Sequence, residues 1–166
     1  MASVSASPLP KGATLSRYAE IPGAYVDCFK AGVEGDVSLQ TFISTFFDTW
    51  VFRLERKLLA LFARVASRSH DVQRLATGES DSLALWSVES RDADQILLAV
   101  GGGPIRTWLM RISREGETHL FFGSAVLPTG KAADGAPQMG GTYRLFLRFH
   151  TLYSRLLLKA VVREFV

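Results

Sequence analysis

The sequence has little cysteine and no long apolar run, and each absence excludes a class of protein. Among the 166 residues Cys28 is the one cysteine, which excludes an internal disulfide and suits a reducing compartment. A nucleophile would need a nearby base, and nothing beside Cys28 in the sequence suggests one, so we expect a small buried apolar residue. No uncharged apolar run approaches the roughly 18 residues of a membrane span, and residues 1–11 lack the regions of a secretory signal. We therefore predict a cytoplasmic protein without a membrane span.

Motifs that bind metals or phosphates, or that present a nucleophile, are also absent. His70, His119 and His150 are far apart and none has metal-ligand spacing, so we predict no metal and no cofactor. The glycines at residues 101–103 match neither a dinucleotide fingerprint nor a P-loop, and no G-x-S-x-G elbow occurs. A net charge of +3 and a pI near 9.2 are too mildly basic to indicate nucleic-acid binding. The sequence therefore assigns no residue a catalytic role.

Length and composition favour one soluble domain after a short leader. Hydrophobic residues make up 48% of the chain and charged residues 21%, which is ordinary for a globular protein. A chain of 166 residues is expected to bury about 70% of its unfolded surface and can fold without metal or disulfides. Residues 1–17 are rich in Ser, Ala and Pro, which predicts a flexible leader. Residues 18–166 form the predicted domain.

The first half of the domain is predicted to form a strand followed by two helices. Residues 24–33 are rich in β-formers and lie between Pro-Gly and a further Gly, which is typical of a strand. Ser38 is placed to cap a helix that begins at Leu39, and the apolar residues that follow recur at helical spacing. Residues 50–65 predict a second helix, with one bent helix as the alternative.

The second half predicts an antiparallel meander and a long final helix. Residues 67–82 are predicted to form a polar loop, with a helical turn at residues 72–75. Four β-rich runs follow, and their short polar or Gly-rich connections leave no room for crossover helices, which excludes a parallel α/β sheet. A flexible Gly-rich loop at residues 128–141 leads into a helix at residues 143–165. The four runs are residues 83–90, 95–100, 105–113 and 118–127.

The final helix has the clearest periodic pattern in the sequence. Polar residues spaced four, three, four and four apart form one face, and apolar residues cover the opposite side, which we expect to lie on the sheet. A basic face of this kind permits docking on lipid head groups or nucleic acid, and an ordinary solvated face is the alternative. The basic face comprises Arg144, Arg148, Thr151, Arg155 and Lys159, and the apolar face comprises Phe146, Phe149, Tyr153, Leu156, Leu157 and Ala160.

The order of elements resembles the helix-grip architecture of START and Bet v 1-like domains, in which a curved antiparallel sheet wraps a long C-terminal helix. Three further segments carry a closer likeness: YVDCF at residues 25–29, TFFDTWV at residues 45–51 followed by Arg56, and FH at residues 149–150 followed by Leu152 and residues 156–158. Through them the chain, over about residues 18–160, resembles a bacterial domain family of unassigned function that is grouped with those domains in the SRPBCC superfamily. This resemblance implies an α+β helix-grip fold with a helical pair after the first strand, but no activity or catalytic residue.

A cavity between sheet and final helix would be lined by polar and aromatic residues of the strands and the helix. His150 lies at the border of the two helix faces, where an imidazole can bond a ligand or act as an acid–base group, or be structural. Glu89 and Arg106 lie in central strands, where inward charges would mark a polar pocket and outward charges would be solvated. His119 shares a strand face with the residues two positions away if alternation holds. The predicted ligand-binding set is Trp86, Glu89, Arg106, Trp108, His119, Phe121, Phe146, His150 and Tyr153.

These residues favour a non-enzymatic module that binds a small apolar or amphipathic ligand between sheet and final helix. An enzyme of the cyclase or hydratase kind is the first alternative, and it requires the histidines and charged residues of this set to converge. A homodimeric interaction protein is the second alternative. Residues 96–100 and 120–122 are apolar at every position, whereas a sheet with one solvated face should alternate. A partner or a second covering layer would explain this excess.

Overall fold

Within its described residues the chain forms an antiparallel sheet of seven strands, with three helices against one face and a short N-terminal helix against the other. This α+β class, the antiparallel meander and the long C-terminal helix confirm the predictions from sequence pattern. The second predicted helix, at residues 50–65, lies outside the described residues apart from Phe52. The computed structural model describes residues 3–49, 52, 69–131, 137–138 and 141–165, and only the backbone for residues 131, 137–138 and 141–149.

Two strands that are far apart in sequence are neighbours in the sheet. The strand order is β1-β2-β7-β6-β5-β4-β3, so the first long strand pairs with the last, while β8 and β9 pair separately within the predicted loop. The helices are α1 (Ser16–Ala19), α2 (Leu39–Asp48), α3 (Ser69–Thr77) and α4 (Gly141–Arg163). The strands are β1 (Ser5–Ala6), β2 (Tyr25–Glu34), β3 (Ser82–Leu83), β4 (Trp86–Arg91), β5 (Gln95–Val100), β6 (Ile105–Arg114), β7 (Glu117–Val126), β8 (Gly130–Lys131) and β9 (Pro137–Gln138).

The start of α2 follows its sequence signal, whereas α3 is longer than its signal indicated. The Ser38 hydroxyl accepts a hydrogen bond from the Thr41 N–H at 3.1 Å, and a cap of this kind contributes about 1 kcal/mol. The prediction of a loop with one helical turn is wrong for residues 69–77, which form a nine-residue helix. The polar composition of these residues gave little apolar periodicity to indicate a helix, since the buried residues of the helix are only Val72, Leu75 and Ala76.

Both faces of the sheet are covered by the chain itself. On the inner face, Leu98 of β5 and Phe122 of β7 belong to a core that also includes residues of α2, α3 and α4. On the outer face, Leu97 and Phe121 pack with Trp108 in a second core. Adjacent residues of a strand point to opposite faces, so two covered faces explain the continuous apolar runs of β5 and β7.

The outer layer is the N-terminal segment that composition predicted to be a flexible leader. Ala13, Leu15 and Tyr18 are buried against the outer face. The Thr14 N–H donates to Gln95 Oε1 at 2.8 Å, and Gln95 Nε2 donates to the Gly12 carbonyl oxygen at 3.0 Å. The prediction is therefore wrong for residues 3–17. A few buried apolar side chains and hydrogen bonds to β5 hold this segment on the sheet.

Helix α4 lies along the inner face, with His150, Leu157 and Val161 buried. The prediction that Leu156 lies on the buried side is wrong, because 47% of it is exposed, as is 60% of Leu152. Spacing alone did not fix the rotation of the helix about its axis. The solvent-facing side of α4 therefore contains leucines as well as charged residues.

Candidate functional site

A cavity of about 360 Å³ lies between the inner face of the sheet and α4, and it is partly open to solvent. Strand alternation brings its lining together: Trp86 pairs with Val100, and Thr107 pairs with Ser124 across neighbouring strands. Most lining side chains are aromatic or aliphatic, and the polar ones are Thr107, Ser124, His150 and Tyr153. The described residues that line the cavity are Phe46, Phe52, Trp86, Val100, Ile105, Thr107, Phe122, Ser124, His150, Tyr153 and Leu157.

Aromatic rings in mutual contact form one wall of the cavity. The ring centroids of Phe46 and Phe122 are 5.0 Å apart, and those of Phe52 and Trp86 are also 5.0 Å apart. The Phe47 ring meets the Trp86 ring nearly edge-on at 5.9 Å. Such pairs are individually worth about 0.5–1.5 kcal/mol beyond the area they bury. The wall is therefore held in place from behind by other rings, as a preformed apolar pocket requires.

A buried polar cluster adjoins the cavity at His150. Its Nε2 lies 3.5 Å from Asp27 Oδ2, and the side chains are 6% and 10% exposed, respectively. The Tyr25 hydroxyl donates to Asp27 Oδ2 at 3.1 Å, and the Ser124 N–H donates to Asp27 Oδ1 at 3.0 Å. Thr151, which spacing placed on the basic outer face, is partly buried and shares a hydrogen bond with Tyr25. This cluster therefore ties β2, β7 and α4 together at one side of the cavity.

Burial dominates the protonation of the Asp27–His150 pair. It raises the pKa of the Asp27 carboxyl, against the opposing effects of His150, the Tyr25 hydroxyl and the Ser124 N–H. It lowers the pKa of the His150 imidazole below its usual 6.5, and the nearby Asp27 charge only partly offsets this. We therefore expect a neutral imidazole at pH 7, which can donate one hydrogen bond and accept another without presenting a full charge to the cavity.

The structure divides the predicted ligand-binding residues between the two faces of the sheet. Three of them line the cavity, five lie on the opposite face, and one has a side chain outside the described part. The prediction that all of them share one pocket is wrong for the five, because both faces of these strands are covered and sequence pattern cannot distinguish them. Trp86, His150 and Tyr153 line the cavity; Glu89, Arg106, Trp108, His119 and Phe121 lie on the outer face; Phe146 has the undescribed side chain.

Glu89 and Arg106 hold α1 against the sheet. Arg106 Nε lies 2.6 Å from Glu89 Oε2, and the Tyr18 hydroxyl donates to Glu89 Oε1. The Arg106 guanidinium also lies 5.3 Å from the centroid of the Tyr18 ring, and Arg17 Nη1 lies 3.3 Å from Glu89 Oε1. Trp108 acts similarly, since its Nε1–H donates to Gln95 Oε1 at 2.9 Å. These polar residues of the central strands therefore fix the N-terminal segment instead of forming a pocket.

The four residues required by the enzyme alternative do not converge. Glu89 and Arg106 meet on the outer face, whereas His150 adjoins the cavity on the inner face. Arg106 pairs with Ala125 and therefore lies six positions along β7 from His119, or about 20 Å at the usual rise per residue. His119 instead lies 3.6 Å from Glu117 Oε2 on its own strand face.

Tyr25, Asp27, Thr107 and Ser124 complete the polar side of this site, and none of them belongs to the predicted ligand-binding set. A signal was present in β2, where Tyr25 and Asp27 are two positions apart and therefore share a face. A carboxylate that points from a strand into the core needs a partner there. Its partner, His150, is 123 positions away in the chain, so spacing could not connect them.

No metal centre is found within the described ranges, where no group of three or more His, Cys, Asp or Glu side chains could hold an ion. None of the described helices is both long and apolar enough to cross a membrane. Comparison with protein-family models, curated proteins and solved structures finds no match to this chain. The resemblance to helix-grip families therefore stays a prediction.

Proposed function

We propose that this chain is a non-enzymatic module that binds a small apolar or amphipathic molecule in the cavity between the sheet and α4. The observation that carries the proposal is the cavity itself, with its aromatic wall and its few polar side chains near His150. Ligand sites are commonly lined by apolar and aromatic residues, with a small number of polar groups that fix orientation. The same arrangement underlies our proposal that sheet and helix form a helix grip.

The size of the cavity limits the ligand to a small molecule. A volume of about 360 Å³ lies toward the lower end of the range for ligand sites, which is about 300–1,000 Å³. It corresponds to about a dozen water molecules at about 30 Å³ each. We expect a molecule of one or two rings, or a short branched chain, whose apolar part contacts Phe46, Phe52 and Phe122.

The polar side of the cavity favours a ligand with one hydrogen-bonding group. Thr107 and Ser124 lie side by side across β6 and β7, and both line the cavity together with His150. Asp27 lies behind His150 at 3.5 Å, so an anionic group placed there would face a second negative charge whenever Asp27 is ionised. A hydroxyl, carbonyl or ether group fits this environment better than a carboxylate.

Binding of an uncharged apolar dye to the purified chain tests the proposal. N-phenyl-1-naphthylamine should increase its fluorescence on binding, and native mass spectrometry of the freshly purified protein should reveal any co-purified small molecule. Val100→Phe extends a cavity-lining side chain into the space and should weaken dye binding by about tenfold, or about 1.4 kcal/mol. Ile112→Phe, at a half-buried position on the outer face, is the matched control and should leave binding unchanged.

Equal binding by the Val100→Phe variant and the wild type would contradict this location of the site. Failure of every apolar probe to bind, with no co-purified molecule, would contradict the proposed function itself. The homodimer stays a prediction, but the apolar runs that suggested it have another explanation, because Leu9, Ala13, Leu15 and Tyr18 of the same chain pack on the outer apolar face. The enzyme alternative required its histidines and charged residues to lie close together, and the structure separates them.

A further inference from the structure

The outward arc of α4 combines exposed leucines with cations. Leu152 is 60% exposed and Leu156 is 47% exposed, and Arg155, Lys159 and Arg163 are exposed beside them. Their positions follow the i, i+3, i+4, i+7, i+11 pattern, which places all of them on one side of a helix. We call these five residues the outward arc; it lies opposite the buried arc that faces the sheet.

Acidic side chains are missing from the outward arc. Glu164 directly follows α4, but it lies beside Thr41 and Asp48 of α2, around a separate surface depression. Arg155 is held on the surface, with its guanidinium 5.6 Å from the centroid of the Phe29 ring. The arc therefore presents a local positive charge, in a chain whose net charge is +3.

We propose that the outward arc of α4 docks on the surface of an anionic lipid membrane. Cations attract the head groups of anionic lipids, while leucines at the same level enter the boundary between head groups and acyl chains. The helix would lie in the plane of the surface without crossing it, with Leu152 and Leu156 directed toward the lipid. This proposal does not depend on the proposed ligand site.

The composition of the arc favours lipid over the other occupants of such a surface. A second copy of this chain, docked arc to arc around a two-fold axis, would bring two sets of three cations together without acids to neutralise them. Nucleic acid would be attracted by Arg155, Lys159 and Arg163. Its phosphate backbone, however, has no apolar surface against which the two exposed leucines could be buried. Of these three occupants, a lipid surface is the one that accommodates both the charge and the exposed apolar side chains.

Docking would also bring the cavity close to the membrane. His150, Tyr153 and Leu157 line the cavity from the inner side of α4, while Leu152 and Leu156 lie on its outer side. A helix with its side chains is about 10–12 Å across. A docked chain would therefore hold its cavity about one helix diameter from the lipid surface.

Co-sedimentation with vesicles tests the docking proposal on the full chain. Vesicles of phosphatidylcholine with about one third phosphatidylserine should bind the protein at low ionic strength, more weakly at physiological ionic strength, and phosphatidylcholine alone should bind it poorly. Lys159→Gln/Arg163→Gln should lower the partition coefficient about 10- to 30-fold, since each cation near the surface contributes about fivefold. Lys11→Gln/Arg74→Gln removes the same charge from other exposed positions and should have a much smaller effect.

The leucines separate lipid docking from general attraction to polyanions. Leu152→Gln/Leu156→Gln leaves the charge unchanged and should weaken binding to anionic vesicles by about tenfold or more, because it removes the apolar insertion. Binding of a short duplex DNA, measured by fluorescence anisotropy, should be no tighter than vesicle binding and should not respond to the leucine changes. Vesicle binding that is absent in the wild type, or unaffected by the leucine changes, would overturn the proposal. Circular dichroism should show that every variant remains folded.

Discussion

Gln95 should be among the most costly polar residues to replace, because one side chain connects the N-terminal segment to the outer core. The residue is 6% exposed, and its Oε1 accepts from the Thr14 N–H at 2.8 Å, the Thr14 hydroxyl at 3.0 Å and Trp108 Nε1–H at 2.9 Å. Its Nε2 donates to the Gly12 carbonyl oxygen at 3.0 Å and to Asp92 Oδ2 at 2.9 Å. Gln95→Leu keeps a similar volume but removes all of these hydrogen bonds.

The cost can be worked out from which groups remain buried. Trp108 is fully buried, so its indole N–H would lose its acceptor and could not reach water; such an orphaned donor costs about 1–3 kcal/mol. The Thr14 and Gly12 groups belong to a partly exposed segment that can move toward water, and they add about 1 kcal/mol together. We expect Gln95→Leu to lower the free energy of unfolding by about 2–4 kcal/mol.

Urea unfolding followed by circular dichroism measures this cost as a lower midpoint with an unchanged slope. Gln73→Leu makes the same change at an exposed position of α3 and should stay within about 0.5 kcal/mol of the wild type. In a Trp108→Phe background, which has no indole N–H to orphan, Gln95→Leu should cost about 1–3 kcal/mol less. Trypsin should also cleave after Lys11 faster in the Gln95→Leu variant, because the segment is released. A cost below about 0.5 kcal/mol, or one unchanged by Trp108→Phe, would show that Trp108 Nε1–H does not depend on Gln95 for its acceptor.

Further predictions concern the polar cluster and the packing of β7. Asp27→Asn should preserve or raise stability at pH 7, because burial raises the pKa of the carboxyl and an amide oxygen can still accept the hydrogen bond from the Ser124 N–H. Asp27→Ala leaves that N–H without an acceptor and should lower the free energy of unfolding by about 1–3 kcal/mol, measured by urea unfolding. Burial lowers the pKa of His150, so the folded protein favours the neutral imidazole. The free energy of unfolding should therefore be highest above about pH 6.5 and should decrease as the pH falls below that value. His150→Gln should remove this loss between about pH 7 and 5, and an unchanged pH dependence would contradict it. Gly123→Ala should cost more than about 1 kcal/mol, since its Cβ would lie 2.8 Å from the Asp27 carbonyl oxygen and 2.7 Å from Leu15 Cδ2; full stability would contradict this close approach.

The elements of the fold could be predicted where periodicity alone decides them. The strand at β5, the cap at Ser38 and the helix after Gly141 each have a local signal, namely an apolar run, a hydroxyl before a helical pattern, and an apolar stripe. The cover over the outer face could not be predicted, because residues 3–17 have few apolar side chains and attach partly through Gln95, about 80 positions away. Local composition does not record a hydrogen bond between distant segments.

The location of the candidate site could be predicted from the sequence, but only some of the residues that line it could. The expectation of a wall formed by α4 led to His150 and Tyr153, which line the cavity. Strand residues were harder, because a charge in a central strand has the same pattern on either face. Glu89 and Arg106 pair with each other on the outer face, and the inward carboxylate is Asp27. Assigning faces required knowledge of which segment covers each side of the sheet.

The cavity is difficult to explain as a packing defect. Empty volume beside apolar side chains lowers stability, because the lining atoms lose their packing contacts on that side. Partial opening to solvent reduces the penalty, but water gains little from walls formed by Phe46, Trp86 and Phe122. An apolar molecule would restore the missing contacts, so the chain should unfold at higher urea concentration when a ligand saturates the site, by an amount set by ligand concentration and affinity.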